Sequence, residues 1–382
     1  MKERIKNIDQ WHIFILVVGI FIFSILCWGG FIKRFGREML SDFKNDTSIV
    51  NEENIDCIEF LDQIINNIDV MWYEKMFKKT ELSSLHSLFM YYTLGEVVSE
   101  QVIFGKDGWL FYKSETDGNS IKDFEGTNRY TESEMNEILQ VVRRTQEVAE
   151  EKGIKFAILV APNKENVYFE LMPDIYIHNE KSSTDILVDY LANHGISIVS
   201  PKKELMEKRS ELQVYYSYDT HWNQLGAYIG VKSIMDFWNI PMNELSDRNV
   251  VSYELKDNYH YCGKADLAKL IGLRLVFNDE MEYEVEGTSQ MNWYKFEEEQ
   301  ERGEISHYVN EEASKKSSIF LVGDSFRSSM VPALREIYRD VYVVHSLNYK
   351  EGMLETVKPD YLLFEYVERY SGNMKEMSNL IN

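Results

Sequence analysis

Four short apolar runs constrain this chain more than anything else in it. Phe156-Ala157-Ile158-Leu159-Val160, Ile319-Phe320-Leu321-Val322, Val341-Tyr342-Val343-Val344 and Tyr361-Leu362-Leu363-Phe364 carry no polar alternation and read as buried strands. Amphipathic segments lie between them. Thr131-Glu132-Ser133-Glu134 is a capping signature opening a helix to about Lys152. Met135, Ile138, Leu139, Val142, Val148 and Ala149 mark its buried face, and Gly153 stops it. A second helix, Thr184 to Asn193, leads into the strand Ile196–Val199. A third runs from Gln224 to Trp238 with Leu225, Ile229, Ile234 and Phe237 as core, and a fourth from Arg327 to Tyr338. Helices alternating with short apolar strands predict an α/β fold with a mostly parallel sheet.

Ahead of that rhythm, Trp11 to Ile32 is almost unbroken apolar sequence, with His12 and Ser24 its notable polar members. This is the length of a transmembrane helix, and Trp11 and Trp28 stand where indole rings favour the membrane interface. The run is long for a removable signal peptide and has no small-x-small cleavage site after it. In Ser24-Ile25-Leu26-Cys27, Leu26 occupies the place where a lipoprotein site needs a small residue. The expected organisation is a short tail (1–10), a transmembrane anchor (11–32) and a helical juxtamembrane or stalk segment (33–100). A domain of 101–382 completes it. Basic residues flank the anchor on both sides (Lys2, Arg4, Lys6; Lys33, Arg34, Arg37, Lys44) and leave its orientation open. In 33–100, Ile55, Ile58, Leu61, Ile65, Ile68 and Trp72 recur at helical spacing. The domain opens on Val102–Tyr112, where two β-prone runs flank Lys106-Asp107-Gly108, a tight-turn signal for a β-hairpin. Residues 245–310 break the alternation. They are acidic, carry β-like runs at Leu273–Phe277 and Met281–Val285, and read as an insertion or elaborated edge.

Composition excludes some functions. A formal net charge of -22 leaves no clustered Lys and Arg for a phosphate backbone, so nucleic acid is not an expected partner. The cysteines Cys27, Cys57 and Cys262 form neither a disulfide framework nor a zinc spacing. With Cys27 in the apolar run, Cys57–Cys262 is the one bridge left open. No motif calls for a cofactor. A metal reading of Asp219 and His221 lacks a further ligand at a convincing spacing.

Two distant stretches carry chemistry. Val322-Gly323-Asp324-Ser325-Phe326 puts a serine just beyond a buried strand and before a helix, where the hydroxyl is exposed and the first amides face a developing oxyanion. Tyr218-Asp219-Thr220-His221-Trp222 offers a carboxylate and an imidazole two residues apart. On an extended or looped segment such residues point the same way, as an orienter–base pair must. The expected triad is Ser325 as nucleophile, His221 as base and Asp219 as orienter. A capped turn and a surface histidine are the bland reading of the same residues. Under that reading the domain is a docking or scaffold ectodomain.

Gly323-Asp324-Ser325-Phe326 resembles the nucleophile block of SGNH hydrolases. Its combination with an upstream Asp219-Thr220-His221-Trp222 is similar to the SGNH-like O-acetyltransferases of the alginate J/X family and their DHHW-type membrane-anchored relatives in Gram-positive bacteria. Ordinary SGNH enzymes place the serine first; in this family, as here, it comes last. Gly105–Tyr112, Pro162-Asn163-Lys164 with Val167-Tyr168, and Glu365-Tyr366-Val367-Glu368-Arg369 extend the resemblance over about residues 102–370.

The resemblance implies an SGNH-like α/β/α sandwich outside the cytoplasmic membrane, held there as a single-pass protein. It implies acetyl transfer to a polysaccharide, with the acetyl group delivered by a polytopic membrane-bound O-acyltransferase, and it carries the triad roles onto Ser325, His221 and Asp219. The usual oxyanion residues have no clear counterpart. Beside the Ser325 N–H, Arg327 and Asn163 are candidates, with a structural role as the commoner alternative for each. Trp222, Trp109 and Tyr218 are candidates to line an acceptor cleft, with the core as the commoner place for such aromatics. The rival enzyme with the same triad is a carbohydrate esterase or deacetylase, in which water accepts the acetyl group.

Overall fold

The apolar runs pair side by side. In a computed structural model that describes residues 87, 88, 90, 91, 99–255, 265–274, 276, 277, 279–288, 305–350 and 352–380, ten strands are formed. They are β1 (Val102–Phe104), β2 (Leu110–Tyr112), β3 (Lys155–Ala161), β4 (Ile198–Val199), β5 (Val250–Glu254), β6 (Met281–Val285), β7 (Ser306–Val309), β8 (Lys315–Gly323), β9 (Tyr338–His345) and β10 (Tyr361–Val367). The main sheet has the order β4-β3-β10-β8-β9-β7. Its neighbours are parallel except β7, which runs antiparallel along β9. Chain division falls between Met1–Val97 and Val98–Asn382, and the sheet belongs to the second unit. The anchor 11–32, nearly all of 33–100 and the Cys57–Cys262 pair lie outside the described residues. No helix among the described residues is long and apolar enough to cross a membrane.

The unbroken apolar runs follow from a sheet covered on both faces, since successive strand residues point to opposite sides. Ala157, Leu159, Ile319, Leu321 and Leu363 enter one core, with Leu225, Ile229 and Ile234 from a helix over Gln224–Phe237. Phe156, Ile158, Val160, Phe320, Val322, Leu362 and Phe364 enter the other. There they meet Ile138, Leu139 and Val142 of the helix Glu132–Glu151, and Leu187 and Leu191 of the helix Ser183–Asn193. Fully burying each of these Leu, Ile, Val and Phe side chains contributes about 1.5–3 kcal/mol of transfer free energy. The expected capping box at Thr131 and Glu134 is present. So is the hairpin, with Phe104 opposite Leu110 and positive φ at Asp107 and Gly108.

Several elements differ from expectation. The helix predicted from Arg327 to Tyr338 is a 3₁₀ turn, Ser325–Met330, followed by an α-helix, Val331–Ile337, with Pro332 in its first turn. Tyr338 already belongs to β9. The predicted strand Ile196–Val199 is shortened to β4. Phe237, expected in the core, ends its helix 43% exposed. Leu273, Arg274, Val276 and Phe277 form no strand; Leu273 closes the short helix Asp266–Leu270, its N–H on the Ala268 carbonyl at 2.8 Å. Within 245–310, β5 and β6 form a separate antiparallel pair, while β7 extends the main sheet.

Candidate active site

Ser325 stands exposed at the carboxyl end of β8, in the middle of the sheet, the end at which open α/β sheets place their sites. The residue before it builds the turn. Asp324 Oδ1 accepts the Phe326 N–H (2.9 Å) and Oδ2 accepts the Val367 N–H (2.7 Å), so one carboxylate ties the exit of β8 to the end of β10. Glu365, fully buried on β10, accepts the Asp324 N–H at 3.1 Å. Burial and the charge of Asp324 push the Glu365 carboxyl well above the usual range. A Cβ on Gly323 would stand 2.5 Å from Glu365 Oε2, which is why a glycine precedes Asp324. Arg327 is bound to this turn as well, its Nη1 donating to the Asp324 carbonyl at 2.5 Å.

The base sits on a loop outside the sheet. Val214–Asn223 folds back on itself, with Tyr216 N–H on the His221 carbonyl (3.2 Å) and Asn223 N–H on the Val214 carbonyl (3.1 Å). Asn223 then caps the following helix through the Gly226 N–H (3.0 Å). A Cβ on Gly226 would strike the Val214 carbonyl, so helix and loop touch only because that residue is glycine. At the tip, Asp219 Oδ1 accepts the His221 N–H (2.9 Å) and faces His221 Nδ1 at 2.6 Å. His221 Nε2 lies 2.7 Å from Ser325 Oγ. The carboxylate assigns the imidazole proton to Nδ1 and leaves the Nε2 lone pair toward the serine hydroxyl. Burial opposes a charged imidazolium. The charge and hydrogen bond of Asp219 outweigh burial, and the His221 pKa is raised. Burial likewise opposes the Asp219 carboxylate, and His221 reverses the outcome and lowers its pKa.

The remaining predicted residues divide. Trp222 is fully buried and belongs to the core. Its Nε1–H donates to the Phe326 carbonyl (3.1 Å) and its ring meets that of Phe326 edge-on at 5.4 Å. Phe326 in turn packs on the His221 ring at 4.7 Å. Trp222 therefore joins the base loop to the nucleophile turn and lines no cleft. Trp109 is half-buried against Tyr168, ring centroids 4.4 Å apart. Tyr218 is half-buried against Phe277 (5.0 Å), its hydroxyl on Asp279 at 2.8 Å. Asn163 is buried at the end of β3, its N–H on Glu368 (2.8 Å) and both its amide atoms without a hydrogen-bond partner. No hydrogen bond joins Asn163 to the triad.

Three groups escaped sequence reasoning. Asp266 accepts the Thr220 N–H (2.8 Å) and hydroxyl (2.6 Å), and its own N–H donates to Asp219 Oδ2 (3.0 Å). One of its oxygens reaches 3.7 Å from His221 Nδ1. Burial and the neighbouring Asp219 raise its pKa to about 6. Glu280 accepts the Ser217 (3.0 Å) and Tyr218 (2.8 Å) N–H groups, and burial raises it to about 7. Both come from the acidic 245–310 stretch, whose composition reads as an insertion or elaborated edge and singles out neither residue. Arg369, just past β10, rests on the rings of Tyr370, Tyr112 and Phe326 at 5.0, 5.5 and 5.7 Å. Its charge disfavours protonation of His221. The block Glu365–Arg369 pointed to it without indicating a role.

The atoms of Asp219, His221 and Asp266 converge within 4.8 Å, and N–H and O–H donors occupy the carboxylates. The arrangement can orient an imidazole, take a proton from a serine and return it to a leaving group.

A solved structure shares this architecture. The structure of PatB1 from Bacillus cereus superposes with a TM-score of 0.51 at 13% identity, covering 72% of this chain and 99% of that one, which shows a common fold. A DHHW family protein from Eubacterium siraeum gives a TM-score of 0.48 at 14% identity, over 75% and 98% of the two chains. In sequence, the probable alginate O-acetylase AlgJ of Pseudomonas aeruginosa is 27% identical over 165 residues, 41% of this chain. The match spans 37% of that relative's length. A family model described as "SGNH hydrolase-like domain, acetyltransferase AlgX" matches residues 102–345, more than half of the chain and both halves of the Ser325–His221–Asp219 line. The chain belongs to that SGNH hydrolase-like acetyltransferase family.

Proposed function

We propose that this protein is a membrane-anchored, extracytoplasmic O-acetyltransferase. It carries acetyl groups on Ser325 and passes them to a hydroxyl of a cell-surface or secreted polysaccharide. The observation that carries the proposal is the line Ser325 Oγ, His221 Nε2, His221 Nδ1, Asp219 Oδ1, with 2.7 and 2.6 Å separations and the serine exposed. Family membership supports the acetyl group, and the name of the AlgJ relative supports a polysaccharide acceptor.

In the first half-reaction His221 Nε2 takes the Ser325 proton as Oγ attacks the acetyl carbonyl, and Asp219 holds the imidazole in the reactive tautomer. The Phe326 N–H is already given to Asp324. Ser325 begins the 3₁₀ turn, so its own N–H stays outside the turn's hydrogen bonds and is the donor for the oxyanion. Arg369, resting on the Phe326 ring, adds positive charge near the site. Collapse of the intermediate sends the proton from His221 to the leaving group. In the second half-reaction His221 takes the proton of a sugar hydroxyl, the hydroxyl oxygen attacks acetyl-serine, and Ser325 is restored. The apolar 11–32 segment keeps the domain at the membrane, where a polytopic O-acyltransferase supplies the acetyl group.

Solvent exposure of Ser325 supports a second reading, an esterase in which water is the acceptor. Incubating the full-length protein with an acetyl ester, with and without candidate surface polysaccharides, separates the two. The proposal expects acetylated glycan that depends on Ser325. Hydrolysis alone with every polymer tried would replace transfer by esterase activity.

A further inference from the structure

Behind the base loop lies a lysine that the chemistry above does not use. Lys164, at the start of the short helix after β3, is 2% exposed and has no ion-pair partner within 4 Å among the described residues. Its Nζ donates to three backbone carbonyls of a single loop: Tyr216 (3.1 Å), Ser217 (3.1 Å) and Asp219 (2.7 Å). An ammonium has three N–H donors and no acceptor, so its whole capacity is spent on the turn that carries Asp219. The group stands 5.1 Å from the ring of Phe111 and 5.5 Å from that of Trp109, which close it off from solvent. From the other side Glu280 takes the Ser217 and Tyr218 N–H groups. One buried cation thus collects the carbonyls of the tip and one buried carboxylate collects its amides.

We propose that Lys164 is the positioning residue of the base. Its ammonium group holds the Tyr216–Asp219 turn in the one shape that aims Asp219 at His221, and His221 at Ser325. The inference rests on the acyl-transfer reading of the triad. A neutral amine keeps two donors and loses the charge that orients three carbonyl dipoles, so the turn relaxes and Asp219 swings away. The charged groups around Lys164 are Glu280, ahead of β6, Asp219 on the loop, Asp266 on its short helix and Glu165 on its own helix, all of which favour the ammonium. Burial outweighs them and brings its pKa down to about 8, within reach of a pH profile.

The test is acetyl-ester turnover by the full-length protein across pH for wild type, Lys164→Met, Lys164→Ala and Ser325→Ala. In wild type, kcat should fall with loss of a single proton near pH 8, with KM unchanged. Lys164→Met should lose roughly 10²-fold in kcat at neutral pH, the effect of a misplaced base, and should lack that alkaline limb. Propylammonium, and not propanol, should restore Lys164→Ala. A Lys164→Met protein with wild-type kcat, beside an inactive Ser325→Ala, overturns the role of Lys164 and leaves the triad standing. Turnover unaffected by Ser325→Ala overturns both. Should the lysine variants fail to fold, the wild-type profile decides, and a kcat flat through the alkaline range overturns the proposal.

Discussion

The nucleophile turn and the base loop meet at the 2.7 Å contact of Ser325 with His221 and where Trp222 and His221 pack on Phe326, and they are built in opposite ways. The turn Gly323–Met330 continues a central strand. What holds it is close by: Asp324 within the turn itself, Glu365 on the neighbouring strand, and the start of the next helix. The loop Val214–Asn223 belongs to no sheet. Side chains from distant segments hold it: Lys164 after β3, Asp266 and Glu280 from the acidic stretch, and Glu282, whose carboxylate takes the Tyr216 hydroxyl and the Gln224 N–H. The first region inherits its shape from the fold, whereas the second acquires it from buried polar contacts that must all be satisfied together. Changes to the turn should therefore act on chemistry with the fold intact, and changes around the loop should act on geometry and pH response.

The largest effects test the contact itself. Ser325→Ala and His221→Ala should each lower kcat by about 10⁴-fold or more, and Asp219→Asn by roughly 10⁴-fold through the wrong tautomer, with circular dichroism unchanged. A residual rate near wild type in any of them breaks the triad. Next is the tie between the two regions. Trp222→Ala removes a fully buried indole that spans loop and turn and should cost about 3–5 kcal/mol in denaturant unfolding. A cost near zero would mean that loop and turn are coupled elsewhere.

Much of the first region was legible before the structure. An apolar run ending in Gly-Asp-Ser states strand, exit and nucleophile in consecutive residues, and both faces of the sheet are written in the lack of alternation in β3, β8 and β10. The 3₁₀ start after Ser325 was hidden, because 3₁₀ and α turns share the same residues and differ in hydrogen bonding. The base loop showed its chemistry at Asp219 and His221 and concealed its support. Asp266, Glu280 and Lys164 lie tens of residues away, and an acidic stretch rich in β-like runs looks like an insertion until its carboxylates are seen turned inward. Trp222 stayed open for a related reason: an aromatic beside a catalytic histidine can form a cleft wall or, more commonly, part of the core, and burial decides for the core.

Smaller effects sharpen the comparison. Asp266 stands near His221, and its charge helps to raise the imidazole pKa. A raised base pKa keeps the imidazole protonated, hence inactive, up to higher pH. Asp266→Asn should therefore move the acid limb of kcat/KM to lower pH, and a shift to higher pH would remove Asp266 from the field acting on His221. On the nucleophile side Glu365 should show the smallest effect. Its folded-state pKa lies above its unfolded value, so its contribution is fully present below the unfolded pKa of about 4.3 and is lost as pH rises toward the folded pKa. Glu365→Gln keeps the shape and removes that loss, so its Tm at neutral pH should match or exceed that of wild type. A lower Tm would indicate that the turn needs a charged carboxylate.

The central claim is that Ser325 carries the acetyl group between donor and acceptor. Its most direct test is rapid quenching of the full-length protein during turnover of an acetyl ester, followed by peptide mass spectrometry. The account predicts an acetyl group on Ser325 that forms only when His221 is present and disappears as acetylated polysaccharide appears. Acetylated polysaccharide formed at the wild-type rate by Ser325→Ala, or an unmodified Ser325 peptide throughout turnover, would contradict it.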